Sequence, residues 1–265
     1  MNREQARAQA QAALSHLPAA QSEALALLLA VEGIDQVEFM MRPKTPLADP
    51  QRWQQVLSRR CAGESVAAIS GRADFFNLTL AVGPGVLIPR PDTESFADVE
   101  WGVGPVLDLG TGSGALACWA YALGRRPVLA LERSLMALSY ARRNVPLGVT
   151  LVRGDWSRSV APRSIGTVLA NPPYIADDEP ELAGDGVAHE PRSALVAQQS
   201  GYADLLHIAQ DGSRILRDRG WLWLEHGYQQ HSKVAEHLAD LGYQQVRGIK
   251  DLAGHTRITG GQWNG

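Results

Sequence analysis

The tetrapeptide Asn171-Pro172-Pro173-Tyr174 contains the residue types needed to grip a flat amide or amine. It follows the apolar run 168–170, which predicts that it lies at the mouth of a buried strand. The two prolines fix φ, remove two backbone donors and hold Asn171 extended, so nearby carbonyls stay free to accept hydrogen bonds. The Tyr174 ring can then cover the bound group. Because the same pattern also ends ordinary strands, its meaning depends on its neighbours.

A glycine-rich loop, residues 108–114, separates a predicted strand from a helix that begins near Ala115. Glycines let the backbone approach a ligand at the carboxyl edge of a sheet, so the loop predicts a nucleoside cofactor. The spacing also satisfies the dinucleotide fingerprint, which leaves NAD as an alternative. The acid before the glycines and the tight Gly-x-Gly-x-Gly spacing favour S-adenosylmethionine. The residues expected to bind it are Asp108, Gly110, Thr111, Gly112, Ser113 and Gly114.

Acids after the next two predicted strands extend this cofactor site. Glu132 can accept hydrogen bonds from ribose hydroxyls, or it is a solvated charge beside Arg133. Asp155 can accept from the adenine amino group and Trp156 can pack against the ring. The alternative for this pair is a helix-capping Asp beside a core Trp. Asn171 is expected to touch the cofactor as well as the substrate.

A parallel sheet is needed to bring these residues together. From Pro105 onward, short apolar runs alternate with helical segments, which predicts a doubly wound α/β fold. Two last runs, 246–249 and 256–259, are joined by a loop too short for a crossover helix, so they predict an antiparallel hairpin at the sheet edge. The parallel strands are predicted near 106–107, 128–131, 149–152, 168–170 and 221–224.

The amino-terminal region, residues 3 to about 70, has a helical pattern. Segment 22–32 places leucines on one face of a helix. A second helix covers 51–61 and is preceded by Asp49, which can cap it, and Pro50, which suits the first helical position. After it, 75–82 and 86–88 are joined by Gly83-Pro84-Gly85, which predicts a hairpin between two domains.

Composition narrows the class of protein. The chain has 265 residues, is 45% apolar and carries a net charge of −3 without a long basic block, which disfavours nucleic acid as the main ligand. Cys61 and Cys118 lack metal-ligand or disulfide-scaffold spacing, which favours a reducing cytoplasm. No apolar run is long enough for a membrane span, and no export signal is indicated. No metal site is expected.

Four stretches, in order along the chain, resemble the glutamine-N5 methyltransferases of peptide chain release factors, the PrmC/HemK family. They are residues 85–94, the glycine-rich loop, 171–174 and 189–195. The specific stretch is Ile88-Pro89-Arg90-Pro91-Asp92-Thr93-Glu94, since the loop is shared by most class I methyltransferases. Glu132 stands where the family commonly has Asp, and the segment between Thr93 and Asp108 looks short, which puts in doubt the helix before the first strand.

The resemblance implies a class I S-adenosylmethionine-dependent methyltransferase, with a Rossmann-like seven-stranded sheet and an α-helical amino-terminal domain. Its implied domains are a substrate-recognition domain (1–72), a β-hairpin linker (73–91) and a catalytic domain (92–265). The implied reaction methylates N5 of the glutamine in the Gly-Gly-Gln motif of release factors and leaves S-adenosylhomocysteine. The chain's own Gly260-Gly261-Gln262 is interpreted as a coincidence, because a final strand presents side chains poorly in trans.

The chemical hypothesis is that the Asn171 side-chain oxygen and the Pro172 carbonyl accept the two protons of the substrate amide, while Tyr174 packs over it. Pro173 belongs to the same substrate site. This methyl transfer requires no strong base, so it is consistent with the absence of a Ser/His/Asp or metal-binding cluster of residues in the sequence. His189 and Glu190 are not expected to be catalytic. Arg90 and Glu94 are expected to organise the cofactor site or the interdomain seam, with a surface ion pair as the alternative.

Two other functions stay open at this point. An adenine-N6 DNA or RNA methyltransferase uses the same tetrapeptide on a flipped base, but no target-recognition domain is visible. A non-catalytic adaptor can keep the fold as an interaction surface, although the intact loop and tetrapeptide argue against decay.

Overall fold

A computed structural model describes residues 1–265. The chain divides into two compact units. The helical unit contains residues 1–72 and 183–189, and the sheet unit contains residues 73–182 and 190–265.

The helical unit forms where the sequence has caps and one-sided apolar patterns. Asp49 accepts a hydrogen bond from the Arg52 amide at 2.9 Å, so the predicted cap is confirmed. Trp53 is completely buried and packs with Leu27 and Leu28 at the centre of this unit. The helices are α1 (Arg3–Ala13), α2 (Ala20–Glu32), α3 (Gln36–Met41), α4 (Pro50–Cys61) and α5 (Val66–Ser70).

Arg60 on α4 ties the distant segment 183–189 into the helical unit. Its side chain is only 2% exposed, yet it forms ion pairs with Glu23, at 2.9 Å, and with Asp185. Hydrogen bonding to Asp185 raises the pKa of the Arg60 guanidinium. Gly186 also donates its amide to the Gly63 carbonyl at 3.0 Å. A buried guanidinium needs such partners, so this segment completes the unit.

The sheet unit contains the predicted doubly wound sheet. Its seven strands run in the order β5-β4-β3-β6-β7-β9-β8. The strands β3 to β7 pair in parallel, and β9 pairs antiparallel with both β7 and β8. All seven predicted strands and the antiparallel edge are therefore confirmed. The strands are β3 (Val106–Leu109), β4 (Val128–Glu132), β5 (Val149–Arg153), β6 (Ile165–Ala170), β7 (Leu216–Glu225), β8 (Gln244–Lys250) and β9 (Thr256–Trp263).

Helices cover the two faces of this sheet and bury two apolar clusters against it. Trp119 of α6 contributes to one cluster, and Ile208 of α10 and Leu238 of α11 contribute to the other. The helices are α6 (Ala115–Ala122), α7 (Leu135–Asn144), α8 (Arg192–Leu195), α9 (Gln198–Gly201), α10 (Ala203–Ile215) and α11 (His231–Asp240).

The linker hairpin forms earlier than predicted. Its strands are β1 (Arg72–Phe75) and β2 (Leu78–Ala81), and they turn at Phe76, where φ is 51°. A turn does form at Pro84-Gly85, where the Val86 amide donates to the Gly83 carbonyl at 3.4 Å, but it closes no hairpin, and the predicted strand at 86–88 is wrong. Prolines at 84, 89 and 91 remove strand donors, so this stretch is irregular and lines a cavity instead.

The short segment before β3 contains a 3₁₀ helix, Pro91–Asp98. No helix of the structure has the length and apolar character needed to cross a membrane. Cys61 is exposed and Cys118 is buried, and both are free thiols.

The glycine-glycine-glutamine tripeptide lies inside β9. Gly260 pairs with Trp223 on β7 and Arg247 on β8, and a Cβ on it would lie 2.1 Å from the Trp223 ring. Gln262 faces Arg219 and Gln245 through side-chain hydrogen bonds. This paired central strand does not present a glutamine to an active site.

We expect Arg60→Ala to lower the free energy of unfolding by about 2–3 kcal/mol, because it removes charged hydrogen bonds from a buried group. The control Arg59→Ala removes a half-exposed pair with Glu64 on the same helix and is expected to cost less than about 1 kcal/mol. Urea unfolding followed by circular dichroism measures both. Equal losses would contradict a structural role for the buried pair.

Candidate cofactor and substrate site

A cavity with about 980 Å³ of empty space, including open solvent, lies at the carboxyl edge of the parallel strands. All of its lining residues belong to the sheet unit. Gly114, Asp155, Pro172 and Tyr174 are predicted site residues that do not line it. The predicted residues that do are Asp108, Gly110, Thr111, Gly112, Ser113, Glu132, Trp156, Asn171 and Pro173.

Glycine is required in the loop after β3 for two different reasons. Gly110 has φ of 76°, and a Cβ there would lie 3.2 Å from the Trp156 ring across the cavity wall. Gly114 has φ of 89° and faces Val145, whose Cγ1 would be 2.8 Å from an added Cβ. Gly110 therefore lets the Trp156 ring lie close to the loop, while Gly114 lets α6 pack closely.

Asp108 anchors this loop from inside the protein. It is 1% exposed and accepts hydrogen bonds from the Thr111 hydroxyl and, at 2.9 Å, from the Ala117 amide. Burial raises the pKa of Asp108 to about 7, against the lowering effect of these bonds. The side chain thus joins the end of β3 to the first turn of α6.

Glu132 braces two backbone segments with one carboxylate. Oε2 accepts from the Gly112 amide at 3.0 Å, and Oε1 accepts from the Ser134 amide at 2.8 Å. A carboxylate has about four acceptor positions, so the group retains capacity for ribose hydroxyls. Glu132 is therefore not simply a solvated charge, because both of its carboxylate oxygens accept hydrogen bonds from backbone amides in the cavity wall.

Of the two predicted site residues after β5, Trp156 faces the cavity and Asp155 faces solvent. Trp156 lines the cavity with φ of 46°. Burial raises the pKa of Asp204 on α10, although Arg133 and Trp156 lower it. Asp155 turns outward to Arg158 at 3.1 Å and is 44% exposed. Its predicted contact with the adenine amino group stays a prediction.

Asn171 reaches the cavity with its side-chain oxygen free. Nδ2 donates to the Thr93 hydroxyl at 3.3 Å, while no donor of the protein bonds to Oδ1. No backbone amide bonds to the Pro172 carbonyl either. The Asn171 oxygen is therefore available to a ligand in the cavity, while the Pro172 carbonyl next to it is buried without a backbone donor.

The rest of the tetrapeptide is anchored by the chain around 195–201. The Tyr174 and Ile175 amides both donate to the Leu195 carbonyl, at 3.2 and 2.9 Å. Gln230 Nε2 donates to the Tyr174 carbonyl at 3.0 Å. The Tyr174 ring packs partly buried against an apolar cluster, and burial raises its pKa. Its predicted packing over the substrate stays a prediction.

The stretch 88–94 ties the site to other elements through its polar side chains. Arg90 pairs with Glu190 at 2.8 Å, and Asp92 pairs with Arg257 of β9 at 2.9 Å. Glu94 accepts from the Phe76 amide at 2.6 Å. Arg90 and Glu94 therefore do not form a surface pair with each other. Burial raises the pKa of Glu190, and the charge of Arg90 opposes this rise.

His189 lies outside this site. It belongs to the helical unit and donates to the Ala62 carbonyl at 2.9 Å. Sequence reasoning missed Thr93, which bonds to Asn171, and Glu225, which lies beside Asn171 because Ala170 pairs with Leu224. It also missed the half-buried Asp204, whose pKa is raised by burial and lowered by Trp156. Glu225 had the same signal as Glu132, since each is an acid that ends a buried apolar strand.

The residues present fit S-adenosylmethionine. The positive φ values at Gly110 and Gly112 allow a close backbone approach, Glu132 offers acceptors for hydroxyls, and the Trp156 ring offers an aromatic wall.

Two family models match the chain. The model described as PrmC N-terminal domain matches residues 5–71. The model described as Methyltransferase small domain matches residues 95–196.

Individual relatives are similar over most of the chain. The release factor glutamine methyltransferase of Escherichia coli K12 is 36% identical over 268 residues, which cover 95% of this chain and 96% of the relative. The one of Vibrio cholerae serotype O1 is 40% identical over 219 residues, covering 78% and 77%. A methyltransferase structure from Pyrococcus furiosus superposes with a TM-score of 0.56 at 20% identity over 80% of this chain and 99% of that one, which shows the fold.

We expect Glu132→Gln to weaken S-adenosylmethionine binding by about tenfold to a hundredfold, since charged hydrogen bonds contribute about 1.5–3 kcal/mol. Isothermal titration calorimetry measures the Kd. The matched control is Glu236→Gln, on the exposed face of α11. An affinity equal to that of the control would show that Glu132 does not hold the cofactor.

Proposed function

Since this chain belongs to the family of release factor glutamine methyltransferases, we propose that it methylates the side-chain amide nitrogen of a glutamine in a release factor. The reaction uses S-adenosylmethionine, and the target is the glutamine of the Gly-Gly-Gln motif. The observation that supports this proposal is the free side-chain oxygen of Asn171 in the cavity of the glycine-rich loop, with the unpaired Pro172 carbonyl next to it in the chain. Such a pair matches the two N–H groups of a primary amide.

The proposed cofactor residues hold different parts of the ligand. The bound cofactor supplies a methyl group on a positively charged sulfur. Glu132 holds the ribose hydroxyls and Trp156 packs against the adenine ring. Asp155 is the proposed acceptor for the adenine amino group. The loop contacts come from Asp108, Gly110, Thr111, Gly112, Ser113 and Gly114, with Asn171 beside them.

The proposed catalytic contribution is orientation of a weak nucleophile. An amide nitrogen shares its lone pair with its carbonyl, so it reacts only when it is positioned and partly pyramidal. Asn171 Oδ1 and the Pro172 carbonyl accept its two protons, which fixes the direction of the lone pair. Pro173 and Tyr174 complete the substrate site, with the Tyr174 ring over the amide. Methylation makes the nitrogen more acidic, so the extra proton leaves afterwards without a strong base.

Each proposed domain has its own role. Residues 1–72 recognise the release factor, 73–91 link the domains and 92–265 carry out the transfer. The chain acts on protein without binding nucleic acid directly, in keeping with its net charge of −3. We also propose a cytoplasmic location, which the two free cysteines support.

We expect the protein to transfer label from methyl-labelled S-adenosylmethionine to a purified release factor, at the glutamine of its Gly-Gly-Gln motif. Mass spectrometry of the digested product locates the methyl group. A release factor with that glutamine changed to alanine is the control. Label on an oligonucleotide instead would identify an adenine-N6 methyltransferase, and label on neither would identify an adaptor.

We expect Asn171→Ala to slow single-turnover transfer by about 100-fold or more, because it removes an acceptor that positions the amide. The Kd for S-adenosylmethionine should change much less, since Asn171 acts mainly on the substrate side. The control is Asn77→Ala, at an exposed position outside the cavity. An unchanged single-turnover rate would rule out this assignment.

A further inference from the structure

We propose that Glu225 and Thr93 are positioning residues that set the orientation of the Asn171 amide. They keep Nδ2 inside the protein and leave Oδ1 facing the substrate. This inference rests on the proposed function, because it concerns how Asn171 is presented for transfer.

The register of the sheet brings Glu225 next to Asn171. On the neighbouring parallel strands β6 and β7, Ala170 pairs with Leu224. The next residue on each strand is Asn171 and Glu225, so the two lie side by side at the carboxyl edge. Paired strands are about 4.8 Å apart, a separation that polar side chains span with one hydrogen bond.

Thr93 connects the two side chains. Its hydroxyl is buried, with the residue 3% exposed, and accepts from Asn171 Nδ2 at 3.3 Å. Against the rise that burial causes, the interaction of the same hydroxyl with the Glu225 carboxyl lowers the pKa of Glu225, and we take the hydroxyl to be the donor to that carboxyl. A hydroxyl has one proton, so donating to Glu225 commits its oxygen to accept from Asn171.

Glu225 selects the direction of the amide through its ionisation. It is 1% exposed, and its buried Oε2 has no hydrogen-bond partner within 3.5 Å, so it is free to accept from a neighbouring donor. An ionised carboxyl only accepts, so it attracts Nδ2 of Asn171 and repels Oδ1. A protonated carboxyl can donate to Oδ1, which turns the acceptor away from the substrate. The ionised form is therefore the one that supports transfer.

The surroundings place this ionisation near neutral pH. Burial raises the pKa of Glu225 to about 7, and the charge of Asp92 adds to the rise. Thr93, Arg257 and Asn171 lower it. Tyr174 also faces Glu225 and remains neutral, because burial raises its own pKa. Transfer should consequently increase as pH rises through about 7.

The kinetic test combines Glu225→Gln with Asn171→Ala. Glu225→Gln should slow single-turnover transfer by about tenfold and should abolish the increase in transfer rate between pH 6 and pH 8 that we assign to Glu225, on the order of one pH unit either side of its pKa. The Kd for S-adenosylmethionine should stay unchanged. Added to Asn171→Ala, it should cause no further loss, since Glu225 acts through Asn171. Glu236→Gln is the control. Additive losses, or an unchanged pH profile, would overturn the proposal.

Thr93 gives an independent pair of variants. Thr93→Val removes the hydroxyl at similar volume and should slow transfer, whereas Thr93→Ser keeps the hydroxyl and should restore most of the rate. Equal rates for the two variants would overturn the role of the hydroxyl. If the wild-type protein does not methylate a release factor, the proposed function fails; if it does and these variants behave like the wild type, only the positioning role fails.

A measurement without substrate tests the titration itself. The folded-state pKa of about 7 lies above the ordinary value of 4.5, so folding retains a proton that the unfolded chain releases between these values. Stability from this group is therefore lost as pH rises from 4.5 to about 7. The Tm of Glu225→Gln relative to wild type should increase across that range, since Asp108 is common to both. A constant difference would show that Glu225 does not titrate there.

Discussion

The parallel register of four central strands is the constraint on which the site depends. Leu109 pairs with both Leu131 and Ala170, and Ala170 pairs with Leu224. The next residue on each strand therefore falls in one row at the carboxyl edge: Gly110, Glu132, Asn171 and Glu225. Backbone hydrogen bonds set this row, so residues more than 50 positions apart in the chain become neighbours without any long-range sequence signal.

Buried polar side chains then give the row its geometry. Asp108 holds the glycine-rich loop from below, and Glu132 joins that loop to the amino terminus of α7. The stretch 88–94 supplies Thr93 to Asn171 and uses Arg90 to hold Glu190. Because a buried polar group is costly without a partner, each of these contacts restricts where its neighbour can lie. The cavity is thus shaped as much by acids and hydroxyls within its wall as by glycines at its surface.

Two predictions from the sequence depended on local patterns that had more than one structural outcome: the position of the hairpin and the orientation of Asp155. Gly83-Pro84-Gly85 has good turn residues, but the hairpin turns at Phe76, whose amide binds Glu94. Gly83-Pro84-Gly85 does turn the chain, but the prolines at 89 and 91 keep the following stretch out of any strand. Asp155 and Trp156 are adjacent and both are predicted from the sequence to bind the cofactor, yet only Trp156 lines the cavity, while the Asp155 carboxylate pairs with Arg158 at the surface. No local rule decides which neighbour an exposed acid will choose.

The sequence by itself determined the strands, the doubly wound sheet, the glycine-rich loop and the family, since periodicity and glycine spacing are properties of short segments. It did not reveal that Thr93 and Glu225 meet at Asn171, or that residues 183–189 complete the helical unit through Arg60. Those contacts join residues far apart in the chain, and strand register and burial alone bring them together. Only the tertiary structure could decide these contacts. A buried charge requires a partner, but the sequence does not show which residue that partner is.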